Sequence, residues 1–201
     1  MKIPMRKLLA VSGLILGLQF SATLSHAATP EPNSSDVLMY IEPVEYSNPI
    51  RVSSRYREYW YHQGPVVEPM ALEKISQAYG KTSICDATQS GKMLVWVKPK
   101  MFYNPKMQNF YGDATIHVYT GLGKHVGTYK GESTVRGFID VKPQRWIDQS
   151  YALTIDDAII KMQADVELQR VVDSATSANA ESTPCSMVSL IPTSKIRAMS
   201  F

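Results

Sequence analysis

Residues 92–103 read Lys-Met-Leu-Val-Trp-Val-Lys-Pro-Lys-Met-Phe-Tyr, and residues 113–120 read Asp-Ala-Thr-Ile-His-Val-Tyr-Thr. In the first stretch Met93, Val95, Val97, Met101 and Tyr103 alternate onto one face, with Lys98 and Lys100 on the other. Leu94 and Trp96 share the lysine face, which is therefore apolar at one end. Successive side chains of a strand point to opposite faces, so a period of two predicts one long strand here. Asn104-Pro105-Lys106 breaks the run. The second stretch resumes it, with Ala114, Ile116 and Val118 set against Thr115, His117 and Tyr119. Gly121-Leu122-Gly123 supplies a turn, and His125 to Val135 pairs back. Alternating runs joined by a glycine-containing loop make an antiparallel hairpin.

The flanking segments supply the rest of the domain. Asp36 to Val44 is mostly apolar and reads as a strand covered on both faces, with Pro43 ending it or placing its end at a sheet edge. Val66 to Tyr79 reads as a helix, because Met70, Ala71, Ile75 and Ala78 recur near helical spacing. Pro69 suits its first turn and Gly80 its C-terminal cap. A polar connection from Asp140 to Ser150 leads to a second helix, with Thr154 as N-cap and Asp156 and Asp157 at the positive end of the helix dipole. Its apolar stripe is Ile155, Ala158, Ile159, Met162 and Val166, continued by Val171, and the helix ends near Val172 or Asp173. The expectation is an α+β fold: an antiparallel sheet of about four strands with two helices packed on one face.

The N-terminus predicts an address. Lys2, Arg6 and Lys7 precede an apolar run from Leu8 to Phe20, and small residues lead to Ser25-His26-Ala27. That order is a secretory signal peptide over residues 1–27, cleaved near Ala27 and directing the protein to the periplasm. The run is shorter than the roughly 20 residues of a membrane span, and no second run of that length follows, so no span is expected in the mature chain. No cysteine stands at the cleavage site for lipid attachment. The organisation expected is a flexible N-terminus at 28–35, the α+β domain at 36–173, and a tail at 174–201 in which Met187 to Ile191 forms an edge strand.

Charge excludes one class of partner. The chain has 21 basic and 18 acidic residues. Three of the basic residues lie in the leader, so the remainder holds 18 of each. A neutral domain has no overall electrostatic footprint for nucleic acid. The two cysteines, Cys85 and Cys185, both lie beyond the leader, and an oxidising compartment makes a disulfide between them the expected state.

The densest basic and aromatic segment lies within residues 45–66, and its candidate binding patch is Arg55, Tyr56, Arg57, Tyr59, Trp60 and Tyr61. Rings stack on sugars or bases and guanidiniums bind anions, which would make a ligand surface for a glycan or apolar small molecule. Rings also bury large areas, and packing of these rings onto the domain, Trp60 and Tyr61 included, is the role expected. His62, His117 and His125 lack metal-ligand spacing. His117 and His125 lie on adjacent strands of the hairpin and approach each other, but the expectation is strand residues facing solvent, with no metal or cofactor. No Gly-x-Ser-x-Gly elbow or Ser-x-x-Lys motif occurs, and Gly121-x-Gly123 lacks the third glycine of a dinucleotide loop. The reading is therefore not an enzyme.

The run Met93-Leu-Val-Trp-Val97, the hairpin at 113–135, and the late helix Ala158–Val172 with its Asp-Val-Glu-Leu-Gln segment together resemble a known group. They are similar to the small α+β domain of the YajG-type envelope lipoproteins and of the auxiliary lipoproteins of ABC transporters, over residues 36–173. The resemblance implies a sheet with two helices on one face. It also implies a non-enzymatic accessory or adaptor role in envelope assembly or transport, with an envelope protein as partner. The lipidation cysteine of those proteins is missing here, so membrane tethering does not carry over.

Overall fold

The computed structural model describes residues 34–86, 89–174 and 184–190. The expected leader and residues 28–33 lie outside them. Around the deciding stretch the alternation holds. β5 (Ser90–Asn104) pairs antiparallel with β6 (Asn109–Thr120), which pairs antiparallel with β7 (His125–Arg136). Met93, Val95, Val97, Met101 and Tyr103 are all buried in the main core with Phe110, Ile116 and Val118 of β6. Leu94 faces the other way, into a second small cluster.

The sheet is larger than expected, and mixed rather than antiparallel. β1 (Ser34–Ile41) runs parallel to β5 on one side and parallel to β4 (Thr82–Ile84) on the other, giving five strands in the order β4-β1-β5-β6-β7. A strand buried on both faces reads as a continuous apolar run, which is why Val37, Leu38 and Met39 are all fully covered. β1 begins at Ser34, inside the stretch expected to be flexible, and ends at Ile41, short of Pro43. That proline instead precedes a single helical turn, α1 (Val44–Ser47). Pro99 lies within β5, beyond the end of its pairing with β1 at Val97, where a missing N–H costs no ladder bond on the β1 side.

β2 (Ile50–Ser53) and β3 (Glu58–Tyr61) form a separate two-stranded hairpin, and α2 (Gln63–Tyr79) follows at once. The helix starts three residues before the expected Val66, so Pro65 occupies the first turn and Pro69 lies inside. Gln63 explains the early start: it is buried, its amide donates to Glu45, and it accepts from the Tyr151 hydroxyl. Gly80 ends the helix at φ 93°, a backbone conformation that side chains disfavour.

The second helix departs most from its sequence reading. α3 spans Pro143–Ala164, with Pro143 at its first position. Residues 143–150, expected as a connection, are its first two turns. Thr154 is mid-helix and fully buried rather than an N-cap. The buried face is Ile147, Ser150, Tyr151, Thr154, Ile155, Ala158, Ile159 and Met162, an unbroken alternation of three- and one-residue steps. Two of its members, Ser150 and Thr154, are small hydroxyl residues. Their polarity is satisfied across the interface: Thr154 Oγ1 is 2.8 Å and Ser150 Oγ 2.9 Å from Ser133 Oγ. These contacts sit above Gly112 and Gly131, where the sheet has no side chain to hold α3 away.

The helix then breaks at Asp165. That carboxylate accepts from the backbone N–H of Glu167 at 2.9 Å and from the Tyr129 hydroxyl at 2.6 Å, and α4 (Val166–Ser174) starts a new direction that buries Leu168. Val166, expected in the apolar stripe, is exposed. Residues 184–190 form a 3-10 helix, not an edge strand. Cys185 within it is joined to Cys85 with Cα atoms 5.6 Å apart, and the pair packs with Leu38 and Leu94 on the sheet face opposite the main core. Among the described residues, no helix is long and apolar enough to cross a membrane.

Candidate binding surface at the loop end

The β2–β3 hairpin divides the sequence patch in two. Strand alternation turns Tyr59 and Tyr61 inward, where their rings stack with centroids 6.0 Å apart. Tyr61 is 6 % exposed, and its hydroxyl meets that of Tyr151 at 3.4 Å. Burial pushes the Tyr61 hydroxyl well above the ordinary tyrosine range. Tyr59 is half-buried and donates to Gln144 of α3 at 2.9 Å. These two rings pack onto the domain; Trp60, expected to do the same, does not, because strand alternation places it on the opposite face of β3.

The other four point out. Trp60 is exposed beneath the Arg51 guanidinium, 5.7 Å from its ring centroid, and Arg51 is bonded to Glu58 at 3.1 Å. Arg55, Tyr56 and Arg57 occupy the turn, and Tyr56 is 84 % exposed. The turn is held from within, since Ser54 Oγ accepts from the backbone N–H of both Tyr56 and Arg57, at 3.4 and 3.2 Å.

Two further loops meet this turn. The long β5–β6 hairpin brings residues 104–109 to it, and the connection from β7 to α3 brings residues 137–142. Together they line an open groove of about 650 Å³, which includes Arg55, Tyr56, Lys106, Phe138 and Asp140, with the buried Tyr103 behind. Arg57 Nε lies 3.8 Å from Asp140. The outer loops are also capped locally: Asn104 Oδ1 accepts from the N–H of Lys106 and Met107, and Trp146 Nε1 donates to the Val141 carbonyl. Phe138 is 49 %, Met107 58 % and Val141 60 % exposed. Sequence reading missed these residues because nothing local marks them. Their shared place follows from three hairpin and helix ends arriving at one end of the sheet.

The two histidines of the hairpin meet at one hydroxyl. His117 Nδ1 and His125 Nε2 both lie against the Thr128 hydroxyl, at 2.9 and 3.0 Å. Burial first, then Lys98 and His125, holds the His117 imidazole below its ordinary range.

No family model matches the chain, and no curated protein does. A solved structure that does align is the crystal structure of protein XCC0632 from Xanthomonas campestris, of the DUF330 family. It is 10% identical, covering 71% of this chain and 84% of its own, with a TM-score of 0.36. That likeness carries neither a residue nor a role over to this chain.

Proposed function

We propose that this protein is an exported, non-enzymatic accessory or adaptor protein of the periplasm, acting in envelope assembly or transport by holding another envelope component. The leader at residues 1–27 supports export. The observation that carries the binding role is the loop end. Large apolar side chains and cations from three separate loops stand exposed around one groove, and exposed apolar side chains gathered at one place and rimmed by polar residues mark interaction sites. The envelope protein partner is part of the same proposal, as is the absence of a cofactor or metal of its own.

A second reading is favoured by the groove's size. About 650 Å³ is the scale of small-molecule sites, and Tyr56 and Phe138 at its rim suit a glycan or an apolar molecule.

Crosslinking in the envelope followed by purification separates the two. A specific co-purified protein supports the adaptor; a bound small molecule and no protein supports the second reading. Retention of neither refutes both. Intact mass of the accumulated protein tests export, with a start near Ala28 expected and retention of residues 1–27 refuting it.

A further inference from the structure

We infer that the loop end is a membrane-docking surface that seats the protein on an anionic phospholipid bilayer, which makes the bilayer the envelope component held at that end. The inference rests on the reading of the loop end as a binding surface and names what it binds.

Three observations support it. The first is the placement of the apolar side chains. Tyr56, Met107, Phe138 and Val141 stand at or beside the tips of three different loops, and each is about half or more exposed. A pocket for a small ligand would turn such residues inward. Here Tyr56 and Phe138 line the open groove yet stay exposed, and Met107 and Val141 stand exposed outside it, as on a surface that enters a headgroup layer. Tyrosine suits that layer, with an apolar ring and a polar tip.

The second is charge. Over residues 53–58, 104–109 and 136–142 the cations are Arg55, Arg57, Lys106, Arg136 and Lys142, against the carboxylates Glu58 and Asp140. The chain beyond the leader is neutral as a whole, so this end is positive and the remainder is correspondingly negative. An anionic bilayer attracts the positive end and repels the rest, which fixes the orientation as well as the affinity.

The third is the state of the loop backbones. An unsatisfied N–H or C=O is costly at a membrane. Ser54, Asn104 and Trp146 side chains each bond loop backbone groups, and the Gly137 N–H donates to the Gln108 carbonyl at 2.8 Å. The tips therefore lose less on leaving water than uncapped loops would.

The test is co-sedimentation of the protein, in the form in which it accumulates, with vesicles of phosphatidylcholine alone or mixed with phosphatidylglycerol. Binding is expected to the anionic vesicles only and to weaken as salt rises. Tyr56→Ser with Phe138→Ser, and separately Arg55→Glu with Lys106→Glu, should each weaken it about tenfold or more. All four side chains lie at the surface, so thermal unfolding of these variants should match the parent. No binding to anionic vesicles, or equal binding by parent and both variants, overturns the inference. If vesicle binding is absent while crosslinking still captures a protein, the adaptor reading stands and the membrane is excluded. Vesicle binding with no captured partner leaves the membrane surface and removes the adaptor.

Discussion

Replacing Gly131 by alanine probes the contact on which the α3 layer depends. Gly131 lies on β7 opposite Ala114, directly beneath α3. A Cβ there would stand 2.0 Å from the Thr154 carbonyl oxygen and 2.9 Å from the Ala158 Cβ. Non-bonded carbon contacts are optimal at about 3.5–4.0 Å, so α3 would have to retreat by more than about 1 Å. The obstacle is helix backbone, which cannot rotate away as a side chain can. Retreat would loosen Ile155, Ala158 and Met162 against the sheet, and overpacking of this kind costs about 1–3 kcal/mol. Alanine also restricts the unfolded chain, which returns about 0.4–1 kcal/mol. The packing loss is the larger, and a net destabilisation of about 1–1.5 kcal/mol is expected. Urea unfolding followed by circular dichroism should show a lower midpoint with an unchanged slope. Gly112→Ala provides a contrast, because its Cβ would meet the side-chain hydroxyls of Thr154 and Ser150 at 2.2 and 2.7 Å. Combining it with Thr154→Ala should cost less than the sum of the two single changes, whereas the Gly131 variant gains no comparable relief from side-chain trimming. A Gly131→Ala protein as stable as the parent would refute the placement of α3.

Three other outcomes are expected. Thiol labelling of the native protein should find no reactive cysteine, and Cys85→Ser with Cys185→Ser should lower stability by up to about 4–5 kcal/mol, because the bond closes a loop of sequence separation 100; two freely labelled thiols would exclude the bond. Tyr61→Ala should cost about 3–5 kcal/mol because the ring is buried, while Trp60→Ala should stay within about 0.5 kcal/mol of the parent on its exposed face, as read by thermal unfolding; equal losses would contradict the inward and outward division of β3. Stability should fall in acid: Lys92 holds Asp36, Lys161 holds Asp157 and the Tyr129 hydroxyl holds Asp165 below the ordinary value of 3.8, so the unfolded chain binds protons first. Their contribution is complete above that value and is lost as pH falls through the folded pKa values, so Asp165→Asn should flatten the acid limb of urea midpoints measured from pH 6 downward. Glu45 acts in another window, since burial raises its carboxyl above 4.5 and its contribution declines as pH climbs through the raised value.

What the chain determined by itself was whatever depends on neighbours in sequence. The period of two in residues 92–103 and 113–120 specified which side chains of β5 and β6 enter the core, because a strand has only two faces and a one-residue slip would exchange them. The spacing around Ala71 and Ile75 likewise announced α2, and Gly80 its end. Tertiary structure decided the rest. The parallel pairing of β1 between β4 and β5 joins segments far apart in the chain, and alternation says nothing about which strand lies beside which. The start of α3 was hidden because Ser150 and Thr154 look like surface or cap residues until Ser133, from another element, supplies their hydrogen bonds. The patch of residues 55–61 was visible as composition, but its division was not: Tyr59 and Tyr61 turn inward because α3 offers Gln144 and Tyr151 to their hydroxyls. Phe138, Met107 and Lys106 joined Tyr56 at one surface only because three connections arrive at the same end of the sheet, a coincidence of chain direction that no local pattern records.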